Sequence, residues 1–302
     1  NLYRQDLSST PLSVMGLEFP NRVGLAAGLD KNGEAIDAFY DMGFGHVEIG
    51  TVTPRAQPGN PKPRIFRIPE KKAIINRMGF NNQGIERVLC NLSKKKTEGI
   101  VGINIGKNRN TPLEKSTEDY LFCLDQVYPF ASYVTVNISS PNTPELRSLQ
   151  FGSFLSELLS RLKERQDELA NRYDRYVPLV IKIAPDLNIS EIKSISEAVL
   201  EINLDGIIAT NTTVDHSPVV DLKHSKEAGG LSGAPLFERS IKVIGALYKL
   251  LGNKIPIIGV GGIMTAEDAE ITFSSGARLI QIYSGFIYHG PNLIKRINSL
   301  DD

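Results

Sequence analysis

The first candidates for chemistry are polar residues that follow an apolar segment in the middle of the chain. Residues 133–138 alternate Val134, Val136 and Ile138 with polar side chains, which is the pattern of a buried strand. The loop that follows, SSPNTP at 139–144, carries hydroxyls and carboxamides but no charge, and its two prolines make it rigid. Such a loop is typical of the ligand-facing end of a barrel strand, but an ordinary β-turn has the same composition.

Similar polar ends recur along the chain, where carboxamides outnumber charges: Lys31, Thr51, Asn76, Asn104, Asn137, Ser140, Asn142, Thr143, Lys182, Thr210, Asn211, Gly233, Gly262, Tyr283 and Ser284. This composition favours a neutral, planar ligand that has several N–H and C=O groups. Acids and histidines are nearly absent, since His46 begins its strand and so lies at the opposite end. The residues therefore give no support to metal catalysis or to hydrolysis by a carboxylate pair.

Glycine-rich segments end the last two predicted strands, GVGG at 259–262 and YSG at 283–285. Barrels commonly bind phosphate at this place through backbone N–H groups and a helix N-terminus. The segment GINIGK at 102–107 is not a P-loop, because its spacing differs and Asn108 stands where Ser or Thr is required. We therefore expect a phosphate-bearing ligand at the two last strands.

Lys182 lies in the middle of a predicted strand and is expected to point into the barrel. Because an unpaired interior ammonium is costly, it should face an anionic partner or act as a Schiff-base nucleophile. A site rich in carboxamides, without a strong acid or base, fits redox chemistry that a cofactor carries.

The elements that position these residues form a repeated unit of a β-branched strand, a polar end and an amphipathic helix. The predicted strands occupy residues 23–28, 46–52, 99–106, 133–138, 179–184, 206–212, 255–262 and 277–285. Eight such units over about 280 residues predict an α/β fold, a (β/α)₈ TIM barrel formed by a single domain over 1–302. The strands are nearly continuous apolar runs, and AAGLDKNG lacks the GxGxxG spacing of a doubly wound fold.

The sequence also predicts the helices of these units and three segments outside them. A short hairpin is expected at 12–22, and a Pro/Gly/Arg-rich insertion with two short strands follows the second barrel strand. Helices are expected after residue 33 through Met42 and at 82–96, 116–127, 152–172, 236–251, 265–275 and 291–300, with another capped near Ser190. The glycine-rich segment EAGGLSGAP at 227–235 is predicted to be a loop.

The composition is that of an ordinary globular protein, with 41% hydrophobic and 23% charged residues. The 34 basic residues balance the 34 acidic residues, so there is no basic field for nucleic acid. Two cysteines, Cys90 and Cys123, are too few for a disulfide framework and lie outside any zinc pattern. No apolar run approaches the roughly 20 residues that span a bilayer, and no signal peptide is evident.

Ten segments together resemble the dihydroorotate dehydrogenase family from about Met15 to the C-terminus. They read LAAGLDKNGE (25–34), EIGTVTPRAQPGNPKPRIFR (48–67), INRMGFNN (75–82), GINIGKN (102–108), NISSPNTPELRSLQ (137–150), VIKIAPDL (180–187), IATNTT (208–213), GGLSGAPL (229–236), IIGVGGI (257–263) and QIYSGFIYHGP (281–291). Ser140 in NISSPN resembles the quinone-reducing class, since the soluble classes carry cysteine at that position. The resemblance implies FMN at the barrel mouth and no metal.

The resemblance also implies roles for individual residues. Ser140 would remove the C5 proton of dihydroorotate while hydride leaves C6 for the flavin, and Thr143 is the candidate proton relay. The matching substrate positions are Lys31, Asn76, Arg77, Met78, Gly79, Phe80, Asn137, Asn142, Asn211 and Thr212. The matching FMN positions are Ala27, Gly28, Lys31, Thr51, Asn104, Asn137, Lys182, Thr210, Gly233, Gly262, Tyr283 and Ser284. Residues 141–151 would form a lid over the substrate.

The resemblance implies a membrane quinone as electron acceptor and peripheral attachment to the cytoplasmic side of the cell inner membrane. The N-terminal helical extension that makes this attachment in the family is expected to be missing from the chain, which begins at Asn1. Glu145 departs from the glycine that relatives carry in the lid, which bears on the lid's flexibility and not on the chemistry.

Three other functions fit parts of the sequence. A lyase or aldolase barrel would use Lys182 as a Schiff-base nucleophile, but no acid or base partner is evident on a neighbouring strand. A flavin barrel that acts on transfer RNA would require a basic face and usually a catalytic cysteine. A non-catalytic barrel that serves as a binding module would hold no flavin.

Overall fold

The computed structural model describes residues 4–5 and 10–300; the remaining residues of the predicted 1–302 domain lie outside the described part. Its strands are β1 (Leu12–Val14), β2 (Leu17–Phe19), β3 (Val23–Leu25), β4 (His46–Val52), β5 (Ile65–Ile68), β6 (Ala73–Asn76), β7 (Ile100–Ile105), β8 (Tyr133–Asn137), β9 (Leu179–Ile183), β10 (Gly206–Ala209), β11 (Gly230–Gly233), β12 (Ile257–Val260) and β13 (Ala277–Ile282). Its α-helices are α1 (Ile36–Asp41), α2 (Ile85–Leu92), α3 (Ser116–Val127), α4 (Gly152–Tyr173), α5 (Ile189–Glu201), α6 (Phe237–Leu251), α7 (Ala266–Ser274), α8 (Ser284–His289) and α9 (Pro291–Asn298).

Eight parallel strands close into a barrel in the order β10-β12-β13-β3-β4-β7-β8-β9. The outward side chains of these strands pack against the surrounding helices in one large apolar cluster, in which Val47, Ile103 and Ile181 are fully buried. Burial on both faces explains why the strand sequences are almost continuously apolar. The prediction of a (β/α)₈ barrel from the repeated units is confirmed.

The hairpin of β1 and β2 closes the end of the barrel where the strands begin. Its Phe19 is fully buried and belongs to a second apolar cluster with the inward residues Val180, Ile208 and Leu279. The Phe19 ring also meets the ring of His46 edge-on, with 5.2 Å between centroids. This end of the barrel is therefore filled, and a ligand can enter only from the opposite end.

A separate three-stranded antiparallel sheet, in the order β11-β6-β5, lies beside the barrel mouth. Strands β5 and β6 are the two short strands predicted for the insertion after β4. The prediction of a loop at 227–235 is wrong for four of its residues, because Gly230–Gly233 form β11 and pair with Ala73–Asn76. Glycine has little strand preference of its own, so the pairing depends on a partner that is distant in sequence.

Several helix boundaries also differ from the predictions. The helix expected at 82–96 spans only Ile85–Leu92, and the helix expected to be capped near Ser190 has Asn188 as its N-cap. Residues 277–285 divide between a strand and the first turn of α8, a short helix that the sequence pattern did not indicate. Among the helices that the structure describes, none is both long enough and apolar enough to cross a membrane.

Candidate functional site

The carboxyl ends of the barrel strands and the adjoining sheet enclose a cavity of about 940 Å³, part of it open to solvent. The wall consists mainly of residues that follow barrel strands: Ala26, Ala27, Gly28, Lys31, Thr51, Asn137, Ser140, Asn142, Lys182, Thr210, Asn211, Thr212, Val260, Gly261, Gly262, Ile263, Gln281, Ile282, Tyr283, Ser284 and Gly285. The insertion and β11 supply Asn76, Met78, Gly79, Phe80, Ser232 and Gly233.

All but three of the predicted site residues lie on this wall. The guanidinium of Arg77 is turned towards Glu227, 2.7 Å away, and towards the carbonyl of Pro63. Asn104 lies beneath the wall, where its side chain bonds to Thr51 at 2.5 Å. Thr143 is buried next to the wall, and its hydroxyl has no hydrogen-bond partner among the described residues.

On one side of the cavity the wall is backbone. Gly262 and Gly233 both have positive φ, at 77° and 98°. A Cβ at Gly262 would lie 2.5 Å from the backbone nitrogen of Phe237, and one at Gly233 would lie 2.2 Å from the carbonyl oxygen of Lys72. A side chain is therefore excluded at both positions, and the backbone can approach a ligand closely.

A second part of the wall, the amide side, presents carboxamides that other protein groups hold in place. Asn142 Nδ2 donates to the carbonyl of Asn76 at 3.1 Å and to its Oδ1 at 3.3 Å. Asn211 Nδ2 donates to the Ser139 hydroxyl at 2.9 Å, and Asn211 Oδ1 accepts from the backbone N–H of Thr212 at 2.8 Å. Each amide keeps further donor or acceptor capacity for a ligand.

Ser140 stands on the wall at the start of the loop after β8, with only 6% of its surface exposed. Its hydroxyl accepts a hydrogen bond from the backbone N–H of Asn142 at 3.2 Å. No carboxylate or imidazole of the described residues hydrogen-bonds to it. A proton taken up by this hydroxyl therefore needs another exit, such as a neighbouring hydroxyl or water.

The buried Lys182 and the partly buried Lys31 supply positive charge to the cavity. Burial, with a smaller contribution from Arg64, lowers the pKa of Lys31 to about 8. Burial also lowers the pKa of Lys182, while the nearby Glu48 carboxylate acts in the opposite direction. The anionic partner expected for Lys182 is therefore Glu48, which no sequence pattern had singled out.

Glu48, Gln281 and Arg147 were all missed by the sequence analysis. Glu48 and Gln281 are inward residues of β4 and β13, and the alternation of those strands could have indicated them. Arg147 gave no such signal: its guanidinium donates to the carbonyls of Ser139 at 3.0 Å and Thr212 at 2.8 Å. It thereby ties together two segments of the amide side.

Some polar atoms at the cavity have no protein partner. Gln281 Oε1 and the Thr212 hydroxyl are buried without a hydrogen bond to any described residue, and both side chains belong to the cavity wall. Buried polar groups are normally satisfied, so these atoms fit a ligand that carries polar groups of its own. Together with the backbone side, the wall suits an elongated ligand with a planar polar part and an anionic end. No group of three or more His, Cys, Asp or Glu residues that could hold a metal occurs in the described part of the chain.

Comparison with known proteins identifies the family. The family model described as "Dihydroorotate dehydrogenase" matches residues 10–300. The chain belongs to the dihydroorotate dehydrogenase family. It is 59% identical over 295 residues to a protein of Shewanella sp. (strain MR-4) named "Dihydroorotate dehydrogenase (quinone)", with 98% of this chain and 87% of the relative covered. A protein of the same name from Aliivibrio fischeri is 58% identical over 98% of this chain and 88% of its own length.

Two solved structures from Eimeria tenella agree with this assignment. A crystal structure of ligand-free DHODH is 38% identical and superposes with a TM-score of 0.91, covering 99% of this chain and 88% of the other. The crystal structure of DHODH in complex with ferulenol gives a TM-score of 0.90 at 38% identity, with coverages of 96% and 82%. The family resemblance inferred from ten sequence segments is confirmed.

Proposed function

We propose that the protein oxidises (S)-dihydroorotate to orotate in pyrimidine biosynthesis and passes the electrons to a quinone. Relatives at 58–59% identity carry the name "Dihydroorotate dehydrogenase (quinone)". The observation that carries the proposal is one cavity whose wall combines Ser140, several carboxamides and a stretch of glycine backbone. Such a wall can hold a planar polar substrate on one side and the phosphate of a cofactor on the other.

FMN is the cofactor that fits this wall. Gly233, Gly262 and Ser284 would hold its phosphate, because their backbone groups can approach an anion closely. The ring would lie among Ala27, Gly28, Thr51, Thr210 and Lys182, with Asn137, Tyr283 and the underlying Asn104 completing the set. When bound, FMN supplies a two-electron acceptor that no side chain can provide.

The substrate would lie between FMN and the amide side. Lys31, whose buried ammonium reaches the wall, would bind the substrate carboxylate, while Asn76, Asn142 and Asn211 would bind the ring amides. Asn137, Thr212 and the segment 78–80 would enclose the remainder. Arg77 would act indirectly, since its ion pair with Glu227 fixes the start of that segment.

Ser140 would accept the proton from C5 of dihydroorotate, as the base in the reaction. A hydroxyl is a weak base, so the proton must move on during transfer. The Thr143 hydroxyl is buried three residues later and has no partner among the described residues, which leaves it available as the relay. Residues 141–151 would close over the substrate and exclude water.

A quinone acceptor places the protein at a membrane. We infer peripheral attachment to the cytoplasmic side of the cell inner membrane, since the quinone is confined to the bilayer. The described residues would form the catalytic barrel of such an enzyme, as one FMN-binding domain.

The absorption spectrum of the purified protein, before and after anaerobic addition of dihydroorotate, tests the proposal. We expect a yellow protein that bleaches with dihydroorotate and is reoxidised by a quinone analogue but not by fumarate or NAD. A yellow protein that does not bleach would refute the substrate and keep the flavin. Failure to bind added FMN would refute the cofactor and redirect attention to a Schiff base at Lys182, which borohydride trapping detects.

A further inference from the structure

A buried carboxylate lies inside the barrel beneath the cavity, and the proposed reaction gives it no part. Glu48 is fully buried on β4 and accepts four hydrogen bonds. Asn104 Nδ2 donates to Oε1 at 2.8 Å. The donors to Oε2 are the hydroxyls of Tyr133 at 3.0 Å and Thr135 at 3.1 Å, and Gln281 Nε2 at 2.8 Å. All four donors are neutral, and the positive charge near the carboxylate is that of Lys182.

The first of these bonds determines how Asn104 is oriented. A carboxylate only accepts, so Asn104 turns its Nδ2 towards Glu48 and its Oδ1 towards the cavity. That oxygen then accepts from the Thr51 hydroxyl at 2.5 Å and from Asn137 Nδ2 at 3.2 Å. The orientation of the Asn104 amide thereby determines that of Asn137, which lies on the cavity wall.

The hydrogen bonds beyond Asn137 are donated in the same direction. Asn137 Oδ1 accepts from the backbone N–H of Ser139 at 3.2 Å and from its hydroxyl at 2.9 Å. Because that hydroxyl donates to Asn137, it accepts from Asn211 Nδ2 at 2.9 Å. All hydrogen bonds from Asn211 to Asn104 therefore donate in the direction of Glu48.

We propose that Glu48 is a positioning residue that fixes the donor and acceptor pattern of the cavity's carboxamides, and so determines which planar ring they accept. The inference rests on the proposed function, since it concerns the ring of dihydroorotate and orotate. Both oxygens of the Glu48 carboxylate contribute, because Gln281, which donates to Oε2, also belongs to the cavity wall. Glutamine at position 48 would point its Nε2 at a donor whichever way it turned, either at Asn104 or at Gln281. One amide that sets the wall would have to turn.

Orotate binding to the FMN-loaded protein, followed by the change in flavin absorption, tests the inference without turnover. For Glu48→Gln we expect orotate to bind on the order of tenfold more weakly, as an amide that presents the wrong edge leaves a ligand group unpaired. A role limited to charge predicts a different result for Asn104→Leu: this variant keeps the Glu48 charge, so it would bind orotate as the wild type does. The comparison of the two variants therefore separates the two roles.

Asn104→Leu is the second variant, since it keeps the side-chain volume and the Glu48 charge but interrupts the chain of hydrogen bonds. We expect a similar loss of orotate affinity, and this variant decides the question if Glu48→Gln does not fold. Thr135→Val is the matched control: it removes one donor to Glu48 and leaves both the charge and the chain of hydrogen bonds, so its orotate affinity should stay within about twofold of wild type.

Wild-type affinity in Asn104→Leu, or wild-type or tighter binding in Glu48→Gln, would overturn the role of Glu48. The proposed function fails in a different way, because in that case the wild-type protein itself would not bind orotate.

Discussion

The two sides of the cavity recognise a ligand by different means. At the ends of β12 and β13 the wall is backbone, and Gly262 leaves no room for even a Cβ. Elsewhere on the wall, Asn137 and Asn211 present side-chain amides whose orientation depends on a hydrogen-bond chain that ends at Glu48. The glycine side depends on the absence of side chains at its glycines, whereas the amide side depends on the orientation of each carboxamide.

This difference predicts that the two sides fail separately. A change on the glycine side should release the phosphate-bearing cofactor whatever the substrate does. A change on the amide side should keep the cofactor and alter the chemistry or the ring selectivity. A variant that impaired both cofactor binding and the chemistry or ring selectivity would therefore contradict this separation.

The largest effect is expected on the amide side, from Ser140→Ala. FMN should remain bound, while anaerobic reduction of the flavin by dihydroorotate slows by roughly 10²–10⁴-fold, the usual contribution of a general base. Stopped-flow absorbance measures the rate. Ser148→Ala, in the same loop but off the cavity wall, is the control and should reduce at the wild-type rate. An unchanged rate in Ser140→Ala would remove this residue from the mechanism.

The next effect is expected on the glycine side, from Gly262→Ala. The new Cβ would collide with the backbone of Phe237, and alanine is strained at a φ of 77°. A cost of about 1–3 kcal/mol should weaken FMN binding by roughly 10–100-fold, measured by titration of FMN into the apoprotein. Gly252→Ala shares the positive φ but meets open space, so it should keep its FMN. Equal loss in both variants would mean that strain alone, and not the close approach, decides FMN binding.

The smallest effect concerns Lys31, whose side chain lines the same cavity. Its pKa of about 8 means that the ammonium is lost as the pH rises through 8. Orotate affinity should therefore fall about twofold between pH 7 and pH 8, and more steeply above, because the neutral amine no longer attracts the carboxylate. Lys31→Met should bind orotate weakly with a flat pH dependence. The same slope in this variant would assign the titration to another group.

Most of the fold followed from local patterns. The predicted bounds of the second barrel strand and of α3 agree with the structure, because strand alternation and helix periodicity are properties of neighbouring residues. The error at 227–235 has the opposite cause. Gly230–Gly233 form a strand only because they pair with β6, which lies more than 150 residues earlier in the chain.

The candidate site divides in the same way. Ser140, Asn142 and Asn211 were predicted because polar residues that follow apolar strands are conspicuous in a sequence. Glu48 was not, although it stands in a quoted segment, because a single acid within a strand does not reveal that four donors surround it.

By itself the sequence determined the eight repeated units, the polar strand ends and the family, since each rests on residues close together in the chain. Only the tertiary structure decided which side chains meet: that Arg77 turns away to Glu227, that Asn104 lies below the wall, and that the amides form one directed chain. Hydrogen-bond direction depends on donors and acceptors brought together from several strands. No local pattern contains that information.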